Sequence, residues 1–165
     1  MALWTAVLLI VALDQTPRPA PRVHVTDSWV QHRVKTAVIG ARARLERQEC
    51  QRVLTDFRDR EGRPLVDRLD ALGLPVSEYL FDRVWFVDGA DTPQCRRDPH
   101  MAAFTVSGHQ VIRVCTGRFS RAFERQMVAA EMIVIHEMLH TLGLGEDPPT
   151  SHQITEQVRR RCGGS

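Results

Sequence analysis

The sequence predicts an α+β domain: a small, mainly antiparallel sheet packed on one buried helix, with further helices flanking it. Three observations predict this. Apolar residues recur at helical spacing over 28–47 and dominate a long stretch over 121–142. Between them, three short runs rich in β-branched and aromatic residues occupy 83–88, 102–106 and 110–115. Helices stand before and after the strands, without repeated strand–helix–strand units, which is the pattern of an α+β layer. The chain has 165 residues, 43% hydrophobic and 25% charged. That composition fits one globular domain and excludes a mostly disordered chain or a polytopic membrane protein. With 22 basic and 20 acidic side chains the formal charge is +2. A dedicated nucleic-acid binder concentrates a much larger positive excess.

The elements follow in order. Ala2 to Leu13 is apolar except for Thr5, and Pro17-Arg18-Pro19-Ala20-Pro21 follows. The run is short for a bilayer span and suits the apolar core of a signal peptide. Residues 1–21 therefore read as a signal peptide with a Pro-rich leader, and 22–165 as a single domain. An uncleaved anchor or a buried first helix is the alternative. Export makes the protein secreted or periplasmic, without stable membrane insertion after cleavage, and a monomer is expected.

Asp27 or Ser28 can cap a helix to about Arg47, with Val30, Val34, Ala37, Val38, Ala41 and Leu45 inward. Its arginines (Arg33, Arg42, Arg44 and Arg47) read as a solvated face. Cys50 to Phe57 reads as a short helix with Val53, Leu54 and Phe57 inward, and 59–62 as a turn. Pro64 suits the first helical position of Leu65 to Leu72, which ends at Gly73. Arg83 to Asp88 reads as a strand. Ala102 to Val106 and Gln110 to Cys115 read as a hairpin through Ser107-Gly108. Ser120 can cap a helix from Arg121 to Leu142. Thr150 can cap a last helix, with Gln153 completing a capping box and Ile154, Val158 and Cys162 on one face. Trp29 and Trp85 read as core anchors, Tyr79 as packing, and His109 as an exposed turn residue.

The four cysteines, Cys50, Cys95, Cys115 and Cys162, form no CxxC pair, which argues against a cysteine metal or redox motif. In an exported protein they predict two disulfides out of three possible pairings. Cys95–Cys115 is favoured because the hairpin lies between them. That leaves Cys50–Cys162, which would tie an early helix to the last. Reduced cysteines in a cytosolic protein are the alternative.

Chemistry concentrates in the helix over 121–142. From Met127 onward it is apolar nearly all round, apart from Glu131, His136, Glu137, His140 and Thr141. A helix apolar on every side is buried, and buried polar groups need partners. Glu131 is expected to pair with a core-edge arginine such as Arg113, or to accept from a ligand histidine. His136-Glu137-Met138-Leu139-His140 is an HExxH motif. Residues four apart share one helix face, so both imidazoles can converge on one zinc ion. Glu137, rotated away from the ligands, can act as general base on water. Two satisfied core histidines would be the plain alternative.

His136 to Gly143 reads HEMLHTLG. This resembles the zincin metallopeptidases and, more narrowly, the HExxHxxGxx(H/D) group, the metzincins. In that group the backbone turns at the glycine and supplies a third zinc ligand three residues later. The resemblance implies a zincin-like domain and makes Glu146 the third ligand, where the family has His or Asp. Asp147, His152 and Glu156 are the rivals. The metzincin methionine turn has no counterpart, since no Met follows Met138. The string HEMLHTLGLGEDPP, with flanking strands and paired cysteines, is similar to small, uncharacterised exported bacterial metallopeptidases.

The expected function is therefore an exported, zinc-dependent peptidase. Its metal ligands are His136, His140 and Glu146, its general base is Glu137, its cofactor is Zn2+ and its substrate is a peptide or protein. The strand Gln110 to Cys115 could be the edge on which a substrate lies. The alternative is a secreted zincin-like binding module with a structural or vestigial metal.

Overall fold

The computed structural model describes residues 20–164; the leader expected over 1–21 lies almost wholly outside them. A first strand, β1 (Arg22–His24), precedes five helices: α1 (Ser28–Leu45), α2 (Gln48–Gln51), α3 (Val53–Asp56), α4 (Leu65–Leu72) and α5 (Val76–Asp82). Then come β2 (Trp85–Asp88), α6 (Pro93–Arg97), β3 (Ala103–Thr105) and β4 (Val111–Val114). Three helices follow: α7 (Thr116–Arg125), α8 (Met127–Thr141) and α9 (Ser151–Cys162). The α+β class predicted from the sequence is the class observed.

Local sequence explains several of these boundaries. The Asp27 carboxylate accepts from the Trp29 and Val30 N–H groups at 2.8 and 3.0 Å, which caps α1. All six apolar residues expected inward on α1 are buried. Gly73 ends α4 with φ +64°, a left-handed turn. Thr150 and Gln153 make the expected capping box on α9, and Ile154, Val158 and Cys162 are buried.

The sheet runs in the order β1-β2-β4-β3. β1 and β2 pair in parallel, as do β2 and β4; only β3 and β4 are antiparallel. The sheet is thus mixed rather than mainly antiparallel. The physical reason is two crossovers: α1–α5 return the chain so that β2 runs parallel to β1, which carries no strand signal, and α6 with β3 return it so that β4 runs parallel to β2. The order also moves the edge. β4, the expected edge, lies between β2 and β3, so β3 is the free edge on that side.

Other expectations change as well. The helix expected over 121–142 is two helices, broken at Gln126 with extended dihedrals of −159° and 117°. Ser120 is buried within α7 and caps nothing. The break lets α7 pack back on both α8 and α1. Trp29 and Trp85 are 65% and 38% exposed, so neither anchors the core. Strand alternation explains Trp85: Phe86 points inward, so its neighbour points out, where it stacks on His24 and under Arg22. Tyr79, Phe86 and Phe119 are the large buried aromatics instead. The arginines of α1 are not a free face. Arg33 pairs with Glu124, and Arg44 with the buried Glu131. Arg113, expected beside Glu131, is therefore not its partner, because α1 reaches Glu131 across the core. Both favoured disulfides, Cys50–Cys162 and Cys95–Cys115, are formed.

Candidate metal centre

α8 lies in the middle of the core, packed by α1, α7 and α9 and by β3 and β4. Its polar residues His136, Glu137 and His140 are 8%, 7% and 6% exposed. Helical spacing stacks the two imidazoles with ring centroids 5.0 Å apart and their Nε2 atoms 3.2 Å apart. The helix ends just beyond them. Gly143 has φ +106°, and its N–H donates to the His140 carbonyl at 2.9 Å. A side chain there would be strained by the dihedral and would press on Asp59. The turn sends the backbone back over the histidines and delivers Glu146. Its carboxylate oxygen lies 3.2 Å from His140 Nε2 and 3.7 Å from His136 Nε2.

One ligand atom from each of His136, His140 and Glu146 lies within 4.8 Å of the others, a group that could hold a metal ion. Asp147, His152 and Glu156, the rival third ligands, are exposed and outside that group. Glu156 instead pairs with Arg159 at 3.1 Å. The bend at Gly143 decides between them, because it turns the backbone early enough for Glu146 alone to return.

The hydrogen bonds behind the histidines test whether these residues suit a cation. The Nδ1 of His140 is 2.9 Å from the Leu144 carbonyl, which can only accept. That nitrogen therefore carries the proton and leaves Nε2 as a bare lone pair facing the cluster. The Nδ1 of His136 is 3.1 Å from the Thr155 hydroxyl on α9. The His140 lone pair, the His136 Nε2 and the Glu146 carboxylate face one another, a donor set that suits a cation. The spacing agrees: ligands about 2.1 Å from a tetrahedral ion lie about 3.4 Å from each other. The residues fit a metal ion.

No protein-family model, no curated protein and no solved structure matches the sequence.

Electrostatics set Glu137 apart from Glu146. Burial pushes the Glu137 carboxyl up to about 7, with Glu146 adding to the rise, while His136 and the Thr105 backbone oppose it. A carboxyl poised near neutrality suits proton transfer. Glu146 goes the other way: His136 and His140 hold it below the usual carboxylate range. Burial lowers the pKa of His140, which favours its neutral, ligating form.

A cleft of about 760 Å³ opens over this group, bounded by the β3 edge, the exposed face of α8 and the start of α9. Tyr79 takes no part in it: it is fully buried and donates to the Thr141 hydroxyl at 3.1 Å, the packing role expected. Sequence reasoning missed Thr155 and the Leu144 carbonyl. The first acts across 19 residues and the second through its backbone, so neither leaves a pattern in the sequence.

Proposed function

We propose that this protein is an exported zinc-dependent metallopeptidase. The observation that carries the reading is the convergence of the His136 and His140 Nε2 atoms and the Glu146 carboxylate at tetrahedral spacing, with the buried Glu137 beside them on a cleft. Two nitrogens and one carboxylate oxygen are a donor set that suits zinc. Bound there, zinc would supply Lewis acidity, polarising a carbonyl and making water a stronger acid.

The protein's own groups do the rest. Thr155 and Leu144 hold the two rings so that only Nε2 faces the cleft. Glu137 takes a proton from the attacking water and returns it to the leaving nitrogen. The free edge of β3 offers backbone groups to an extended peptide, which would lie across the cleft as an added strand. Buried α8 and the apolar wall around Met132 and Ile133 limit the water at the reacting bond. The binding-module alternative would suit a closed metal site. Here the Glu146 side chain is 51% exposed and the cleft reaches the cluster, which favours a centre with an open position.

The test is Glu137→Gln. The variant should keep its fold and its metal and lose about 10²–10⁴-fold in peptide hydrolysis, measured on a mixed peptide library. Full activity in Glu137→Gln would remove the assignment.

A further inference from the structure

We infer that the cleft selects acidic peptides, with Arg60 and Arg125 reading their carboxylates; this rests on the peptidase reading of the same site. The face of α8 between Ala129 and His140 lines the cleft and is about 16 Å long. That length accommodates about five residues of extended peptide.

One arginine stands toward each end. Arg125 is the last residue of α7, at the Ala129 end. Arg60 stands at the other end, beside the metal cluster. Its Nε would lie 3.6 Å from a Cβ placed on Gly145, the neighbour of Glu146. The turn that carries Arg60 is fixed in place. Asp59 bridges to Leu144, and its carboxylate accepts from the Glu61 and Arg63 N–H groups at 3.0 and 2.9 Å.

Neither guanidinium has a carboxylate at ion-pair distance among the described residues. The cleft's own acids are otherwise engaged. Glu137 and Glu146 serve the metal centre, and Asp98 accepts the His100 N–H at 2.8 Å. The third arginine of the wall, Arg159, pairs with Glu156. A guanidinium presents a planar fork that matches a carboxylate, so the two unpaired ones favour acidic partners. Because they stand toward opposite ends, acidic side chains within the peptide satisfy both; the terminal carboxylate of a peptide would satisfy only one.

The experiment measures binding apart from cleavage. Fluorescent peptides of about six residues, all blocked at the N-terminus and the first two also at the C-terminus, are titrated against the oxidised Glu137→Gln protein at low salt. One carries Asp and Glu, a second Lys and Arg at the same positions, and a third is neutral with a free C-terminus. The acidic peptide should bind at least tenfold more tightly than either, with the advantage falling as salt rises. Arg60→Glu and Arg125→Glu should each cut that advantage severalfold while leaving metal content unchanged. Equal binding of acidic and basic peptides, no binding at all, or an advantage untouched in both variants would overturn the inference. A free C-terminus binding as well as the acidic peptide would overturn its assignment to side chains. Acidic selectivity without hydrolysis by the wild type would leave the inference standing and remove the peptidase reading instead.

Discussion

Thr155 holds His136 only through one hydroxyl, yet that contact fixes which nitrogen faces the cleft. Thr155→Val keeps the shape and removes the partner, so metal affinity should fall about 10–100-fold with little loss of stability. A chelator competition would measure it. Gly40 makes a sharper case. In a helix, Ala outdoes Gly by about 1 kcal/mol. A Cβ at Gly40, however, would collide with the Glu131 carboxylate, which Arg44 holds in place. The clash wins, and Gly40→Ala should destabilise by about 1–3 kcal/mol in urea unfolding. In a Glu131→Ala background the same change should turn neutral or stabilising, because the two effects share one contact. Simple additivity would contradict that. At this scale the sequence showed what spacing controls: His136, Glu137 and His140 share a motif, and Glu146 follows the glycine turn. The identity of Glu131's partner was not legible, because Arg44 lies 87 residues away and nothing local points to it.

Among the elements, α9 is bound to distant parts of the chain by covalent and polar ties. Cys162 is bonded to Cys50, and Arg44 and Arg47 donate to the Cys162 and Gly164 carbonyls. Arg161 donates to Asp56 at 2.7 Å and to Glu49 at 2.6 Å. Since α9 also brings Thr155, these ties hold the metal centre together from behind. Closing 112 residues with Cys50–Cys162 is worth about 5 kcal/mol in the chain-entropy model, against about 3 for the 20 residues of Cys95–Cys115. Reduction should therefore loosen α9 and weaken metal binding; unchanged affinity in the reduced protein would contradict this. Acid adds to the effect. The Arg161 hydrogen bond holds the Asp56 carboxyl below its usual value, so its contribution is fully present above the ordinary carboxylate range and lost as pH falls from there through the lowered value. Hydrogen exchange of reduced protein should show α9 amides opening earlier than α8 amides as pH falls below the ordinary carboxylate range. The capped, periodic helices α1, α4 and α9 were readable because capping residues and apolar period agree. The break at Gln126 was not, because both sides are helical in pattern and only packing on α1 requires the bend.

For the whole molecule, the sheet was the least legible part. Strand pairing depends on what β1 meets after a crossover of five helices, and three residues carry no record of it. The consequence is functional: it is β3, the antiparallel end of the sheet, that borders the cleft. Two disulfides suggest an oxidising environment, and no described helix is long and apolar enough to cross a membrane. Fold, disulfides and cleft all converge on the face of α8 that carries the two histidines. Metal content tests that convergence most directly. The oxidised protein, reconstituted with zinc, should hold close to one ion per molecule. His140→Ala should lose it, and Glu146→Ala should hold it much more weakly. A folded wild-type protein that binds no zinc, or a Glu146→Ala variant that binds it as tightly as wild type, would contradict the centre described here.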